Sequence, residues 1–398
     1  MASLISVETA LGLIAQNAPK PGAETVRLNQ AKGRRLAAPL MAKVSRPPAS
    51  VSAMDGYALA LGDVSNAGAT LKIIGEAPAG TPFEGTVKSG EAVRIFTGGE
   101  LPQGTDHIIP QEVARREGDL VTFENAYTTS QHVRKAGLDF KRGTPLLEAG
   151  ARIGPAELAV AAAANHDTLT VFTRPKVALL ANGDELKPPG SPLERGQIVN
   201  SNPAALSALI ARWGGAPIDL GIAPDSMAAI KSFITKAEEA DIIVPIGGAS
   251  VGDHDYMRAA FAELGYETLF EKIAVRPGKP TWFASKGDQR VLGLPGNPAS
   301  ALVCAHLFLA PLISGHSAHD LKAAALGASL PANGARTSFL RAHISIDQTG
   351  RLIATPAANQ DSSLLTPFLT ANGLIRRNTN APELSPGAPV DVLMIGPL

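Results

Sequence analysis

Glycines and carboxylates are interleaved at the ends of several apolar segments. The stretch ADIIVPIGGASVGDHDYM (240–257) runs from buried-strand residues into Gly247, Gly248, Ser250 and Gly252, then Asp253 and Asp255. VALLANGDEL ends in Asp184 and Glu185, and VLGLPGNPAS ends in Gly296, Asn297 and Pro298. A glycine-rich turn exposes backbone N–H donors, and a helix start adds a positive end, so the two bind phosphate without a charged side chain. Carboxylates in the same turns would repel that phosphate unless a cation stood between them, as magnesium does when it bridges carboxylate and phosphate oxygens. Helix capping by Asp253 or Asp255 accounts for those two residues equally well from this loop alone. A further segment, VRPGKPTWF, sets Arg276 and Lys279 around a Pro-Gly bend. That suits an oxyanion clamp or an ordinary basic surface turn. Asn297 and Pro298 are also ordinary helix-start residues, at the N-cap and first helical positions.

Other chemistries find less support. Asp55-Gly56 in SAMDGYAL and Thr97-Gly98-Gly99 in RIFTGGELPQGTDHIIPQE are weak turn signals taken singly. His316 and His319 in SGHSAHD have a ligand-like spacing, although a polar interdomain loop is the simpler reading. There is no nucleophile elbow with a Ser-His-Asp order and no complete Walker A sequence. Lys plus Arg equals Asp plus Glu, 36 each, so no net field recruits nucleic acid or an anionic membrane. The single cysteine, Cys304, lies in the apolar run ASALVCAHLFLAPLI and reads as a buried core thiol. That run is too short to span a bilayer, and the N-terminal residues carry Glu8 where a signal peptide would be apolar. The expectation is a reduced cytoplasm.

These loops need elements to hold them. Apolar residues recur at helical spacing from Ser6 to Asn17, with Ser6 as N-cap, and PAELAVAAAANH (155–166) predicts a second helix with Pro155 in its first turn. Between Ser45 and Ala136 short apolar pieces alternate with Gly and Pro turns, which predicts a small β domain. From Arg174 the pattern becomes VALLAN, a helix 202–213, PIDLGIA, a helix from near Asp225, DIIVPI, a helix from about Asp255 to Leu264, VLGLPG and a helix 297–312. Such alternation predicts a parallel sheet covered on both faces, with ligands at the carboxyl ends of its strands. FLRAHISIDQTGRLIATP predicts a hairpin turning at Gly350, within a C-terminal β domain.

In chain order, SAMDGYAL, RIFTGGELPQGTDHIIPQE, VRKAGLD, NGDEL, GQIVNSN, GGASVGDHDYM, VRPGKP and GLPGNPAS closely resemble the MoeA family of molybdopterin molybdenumtransferases, related to the gephyrin E domain. The resemblance implies a multidomain α/β and β protein. Residues 1–45 plus 137–173 would form a split helical domain, 46–136 an inserted β domain, 174–318 a three-layer α/β molybdopterin-binding domain with a parallel-rich sheet, and 319–398 a β-barrel-like domain. It further implies a homodimer that inserts molybdenum from molybdate into adenylylated molybdopterin with magnesium, releasing AMP. On this resemblance Asp55, Thr97, Asp184, Glu185, Asp255 and Lys279 are catalytic, with Glu185 and Asp255 at the magnesium. Gly247, Gly248, Ser250, Gly296, Asn297 and Pro298 would bind substrate, and Arg134, Lys135, Asp139 and Arg276 molybdate. Asp55 and Thr97 are expected to reach the cleft of the other subunit. Transient contact with a molybdopterin adenylyltransferase and with molybdoenzyme chaperones is implied as well. His132, Ala136 and Leu138, and Ala181-Asn182, depart from the family pattern at the oxyanion and acidic loops. A non-inserting paralogue, a gephyrin-like scaffold and a molybdopterin adenylyltransferase are the alternative readings.

Overall fold

The computed structural model describes residues 4–248, 256–315 and 318–398. They form two compact units, one made by the chain up to Pro21 and from Thr173 onward, the other by Gly22–Phe172. In the first unit the strands Lys176–Asn182, Ala216–Ala223, Ile242–Ile246 and Gln289–Gly293 run parallel. Their spatial order is 216–223, 176–182, 242–246, 289–293, after which Trp282–Lys286 and Glu267–Phe270 continue the sheet antiparallel. The strand–helix alternation does not reveal those last two, because a two-residue turn at 287–288, with Gly287 at φ 53°, replaces a helix between neighbouring strands.

Successive side chains of a strand face opposite sides of a sheet, and here both sides are covered. Val177, Leu179, Ile242, Val244 and Ile246 share a core with Leu206 and Ile210 of the helix Asn202–Trp213 and with the helical segment 298–314. Ala178, Leu180 and Ile243 pack instead with the helices Met227–Thr235 and Tyr256–Glu263. Burial on both faces is why these strands read as continuous apolar runs. The N-terminal helix Val7–Gln16 is capped by Ser6, whose hydroxyl accepts the Thr9 N–H at 3.0 Å. Its stripe of Val7, Ala10, Leu11 and Ile14 joins the α/β core, so this helix packs there and not with residues 22–45.

The C-terminal strands Leu321–Leu326, Thr337–Ile346, Leu352–Pro356, Gly373–Arg377 and Pro389–Met394 close a five-stranded barrel, because 373–377 pairs back onto 337–346. Gly350, at φ 84°, makes the expected hairpin turn. Phe339, Leu374 and Ile395 of this barrel enter the α/β core cluster. At the junction Pro311 has no N–H to offer the Leu307 carbonyl, residues 305–309 widen into a π-helical turn, and His319 Nε2 donates to that carbonyl at 2.8 Å. His319 is therefore a half-buried structural donor and not part of a freely solvated loop; His316 lies outside the described residues.

In the second unit a six-stranded sheet has the order His107–Pro110, Gly56–Leu59, Glu91–Ile95, Ala69–Ala77, Leu120–Phe123, Ala114–Glu117. The segments before and after it pair with each other, Ala23–Arg27 with Thr168–Phe172 and Leu40–Met41 with Pro145–Leu147, beside the helix Pro155–Ala163. Among the described residues no helix is long and apolar enough to cross a membrane.

Candidate functional site

The two connections leaving the 176–182 and 242–246 strands depart in opposite directions across the sheet, which opens a crevice between the carboxyl ends of those strands. Gly247 and Gly248, at φ 90° and 66°, form the turn after the second strand, and Gly247 N–H is held by Leu294 O at 3.0 Å. A Cβ on Gly296 would lie 3.4 Å from the Gly247 Cα, so the backbones at Gly296 and Gly247 are neighbours. A Cβ on Gly248 would stand 3.0 Å from Met257 Cβ and 3.1 Å from Asn182 Oδ1, which explains glycine at this position independently of any ligand. Ser250, Asp253 and Asp255 lie outside the described residues.

The acidic loop follows a strand that is internal to the sheet, flanked by 216–223 and 242–246, so NGDEL lies in the crevice and not at the sheet's lateral edge. Asn182 is buried, and its amide donates to Asp225 Oδ1 at 2.7 Å and Ala223 O at 3.3 Å. Asp184 and Asp225 then exchange bonds: each carboxylate accepts the other's backbone N–H at 3.2 Å. Asp225 therefore braces the loop while Ser226 caps the helix Met227–Thr235. Asp184 has one oxygen committed to this brace. Glu185 is exposed, and its carboxylate folds over Gly183, where a Cβ would come within 2.5 Å of Oε2. Among the described residues no three His, Cys, Asp or Glu side chains group as a metal-binding set. Asp184 and Glu185 are carboxylates of the kind that hold magnesium together with substrate phosphate.

Arg276 and Lys279 are both exposed on the Pro-Gly turn. The turn is seated on Cys304: a Cβ on Gly278, whose φ is 110°, would lie 2.0 Å from Sγ. Burial pushes the Cys304 thiol up to about 12, with a smaller opposing effect of the Thr281 hydroxyl at 3.2 Å. It is a core thiol, as its apolar neighbours suggest, and the basic turn packs against it at Gly278.

Asn297 occupies the N-cap position of the helix Pro298–Cys304, with Pro298 at the first helical position, but its side chain makes no capping bond. The amide donates to Ser362 Oγ at 3.0 Å instead, and Ser362 O accepts the Ala299 N–H at 3.0 Å. Asn202 Nδ2 holds the Gly296 carbonyl at 2.9 Å from the other side. Ser362 reaches this point because Arg341, 2% exposed, donates to Leu364 O at 2.7 Å, Asp361 O at 2.9 Å and Asn359 O at 3.3 Å. Asp361 is held below the usual carboxylate range by the Ser363 hydroxyl and N–H, which tighten the same loop. Sequence reading misses Arg341, Ser362, Asn202 and Asp225; NQDSS shows only the Asp and Ser of a tight turn.

In the 22–172 unit three of the singled-out motifs come together. Ser52 N–H bonds Gly99 O at 2.9 Å, Gly98 N–H bonds Ser52 O at 2.9 Å, and Ala53 N–H bonds His132 O at 2.8 Å. Val133 and Arg134 pair antiparallel with Ser52 and Val51. Asp55 Oδ1 accepts both the Thr97 N–H at 2.7 Å and its hydroxyl at 2.8 Å. Those two bonds, in that order, hold the Asp55 carboxyl below its ordinary range, and the Arg94 guanidinium adds to them. Arg94 is anchored to Gly56 O at 2.8 Å and lies over the Phe96 ring at 4.7 Å. Arg134 and Lys135 are exposed, whereas Asp139 pairs with Arg46 at 3.5 Å, a cation the motif reading leaves out. Leu138 is exposed beside them. Arg134, Lys135 and Asp139 thus belong to this unit, and Arg276 and Lys279 to the other.

Family models match almost the whole chain: "MoeA N-terminal region (domain I and II)" over residues 5–165, "Probable molybdopterin binding domain" over 178–315 and "MoeA C-terminal region (domain IV)" over 323–395. A curated protein of Haemophilus influenzae named molybdopterin molybdenumtransferase is 32% identical over 98% of each chain. One of the same name from Nostoc sp. is 40% identical over 73% of this chain and 68% of its own. The solved structure of a molybdopterin biosynthesis MoeA protein from Pyrococcus horikoshii superposes with TM-score 0.88 at 30% identity, covering 100% of both chains.

Proposed function

The chain belongs to the MoeA family, with a role in molybdenum cofactor biosynthesis, and on that premise we propose that it is a molybdopterin molybdenumtransferase that cleaves adenylylated molybdopterin, releases AMP and leaves molybdenum from molybdate on the dithiolene sulfurs. The observation that carries this reading is the approach of the Gly247 and Gly296 backbones beside a carboxylate loop whose Glu185 stays exposed. Bare backbone admits a phosphate closely, and Lys279 offers a mobile positive charge for the anhydride as it breaks. Glu185, with Asp184, would hold magnesium, which neutralises charge on the departing phosphate. The Asn182–Asp225–Asp184 brace fixes the loop, leaving Glu185 for the ion. Exchange of two thiols for one oxo ligand releases one water, the equivalent of the water that anhydride cleavage consumes. A cytoplasmic homodimer is part of the same proposal, and light scattering reads its mass.

The test mixes the purified protein with adenylylated molybdopterin and magnesium and measures AMP with and without molybdate, with tungstate in parallel. Molybdate-dependent release supports the transferase. Tight substrate binding without oxyanion-dependent release points to a non-inserting paralogue.

A further inference from the structure

His107 opens the strand His107–Pro110 of the 22–172 unit and is fully buried, with its ring 5.2 Å from the Tyr127 ring. Its Nδ1 accepts the Gln131 N–H at 3.0 Å. The neutral ring must therefore carry its proton on Nε2. Among the described residues Nε2, also buried, has no partner. A side chain placed here to fill space alone would carry no such orphan, because an unpaired buried N–H costs stability. What the imidazole supplies beyond packing is the acceptor at Nδ1. Burial lowers its pKa from 6.5, against the attraction of Asp106 and with a further push from His132. At neutral pH the ring stays uncharged and able to accept.

The backbone it holds leads straight into the basic pair. Gln131 O accepts the Ile108 N–H at 3.3 Å, and the Ser130 hydroxyl donates to Asp106 O, so residues 130–131 are tied down along 106–108. His132 then takes φ 59°, a left-handed conformation that a non-glycine residue keeps only when its neighbours impose it. Next, Val133 and Arg134 pair with Ser52 and Val51, and the Val133 side chain packs against the core that contains Ala58 and Ile108. Alternation sends Arg134 to the other face, where it and Lys135 are exposed. Two long, flexible cations bind a tetrahedral dianion well only if the backbone already places them, since ordering it afterwards is subtracted from affinity. We infer that His107 is a positioning residue for oxyanion binding: as a neutral acceptor it locks Gln131, and through that segment it fixes where Arg134 and Lys135 meet molybdate. The inference rests on the reading of that pair as the molybdate groups.

The test compares the full-length wild-type protein with His107→Asn and His107→Leu. Asparagine puts a carbonyl oxygen near the place of Nδ1, whereas leucine fills the space and accepts nothing. A packing role makes leucine the milder change; an acceptor role makes asparagine the milder one. Hydrogen exchange should show the Gln131 amide protected in the wild-type protein and in His107→Asn, and exchanging up to about ten-fold faster in His107→Leu, the scale of one net hydrogen bond. Equilibrium dialysis should show molybdate affinity weakened by a similar factor in His107→Leu and near wild type in His107→Asn, although leucine should give the higher urea midpoint. In the AMP-release assay, kcat at saturating molybdate and the KM for adenylylated molybdopterin should be unchanged. An unprotected Gln131 amide in the wild-type protein, wild-type molybdate affinity in His107→Leu, or His107→Asn no better than His107→Leu would each overturn the assignment. Arg134→Ala separates the two readings. Unchanged molybdate affinity in that variant withdraws the basic pair and this inference with it, whereas a loss there without one in His107→Leu keeps the pair and removes His107. The expected His107 dependence in a protein that releases no AMP would keep the inference and refute the transferase.

Discussion

Gly278→Ala tests the link between the buried core and the basic turn. Gly278 is buried at φ 110°, a backbone region in which a side chain costs about 1–3 kcal/mol. Its new Cβ would also lie 2.0 Å from Cys304 Sγ, and overpacking of that kind adds about 1–3 kcal/mol. Together these contributions amount to about 2–6 kcal/mol, a large share of a typical stability of about 5–15 kcal/mol. Cys304→Ala removes the atom that clashes. Alone it should destabilise by about 1 kcal/mol, since it opens a small buried void; Thr281 keeps its bond to Gly278 O at 2.8 Å. In the double variant the methyl introduced at position 278 enters that void, so the cysteine change should restore stability to Gly278→Ala despite being harmful by itself. Urea unfolding of the four proteins gives the coupling, expected at about 1–3 kcal/mol. Additivity within about 0.5 kcal/mol would show that Sγ is not the wall against which the turn is built. AMP-release assays on the same proteins should follow the stability order, because Arg276 and Lys279 move with Gly278.

Glu185→Gln should abolish most molybdate-dependent AMP release with little change in melting temperature, since the carboxylate is exposed; equal loss of both would make Glu185 a structural group. Ser362→Ala removes the acceptor of the Asn297 amide and is expected to weaken substrate binding several-fold more than it lowers the unfolding midpoint, which parallel titration and urea melts would check. His306 packs edge-on against Trp213 at 5.2 Å, and burial, helped by Arg212, lowers its pKa from 6.5 to about 4. The folded state thus resists a proton that the unfolded chain accepts: this contribution, up to about 3 kcal/mol, is complete above pH 6.5 and is lost as pH falls towards 4. Urea midpoints between pH 7.5 and about 4.5 should decline less steeply in His306→Gln, and parallel curves would refute the assignment.

Local pattern carried much of the architecture. The four parallel strands and their helices are legible because double-sided burial demands continuous apolar runs, and the C-terminal hairpin because Gly350 marks its turn. The positions of Gly247 and Gly248 are legible for a related reason, since both take a positive φ that favours glycine. Side-chain destinations are a different matter. Asp225 looks like the start of a helix yet braces Asp184 across 41 residues, Asn297 looks like a cap yet bonds Ser362 across 65, and Asp139 turns to Arg46. Arg341 reads as one strand residue among ten, but its barrel position brings the guanidinium to a loop that ends beside Asn297. Periodicity and turn chemistry are properties of neighbouring residues, so the sequence alone determined the four parallel strands, the Gly350 turn and the types of group at the strand ends. Which partner each polar group finds depends on register, sheet order and barrel closure, and these arise only when distant segments pack; the tertiary structure decided which carboxylates brace the loops and which stay free.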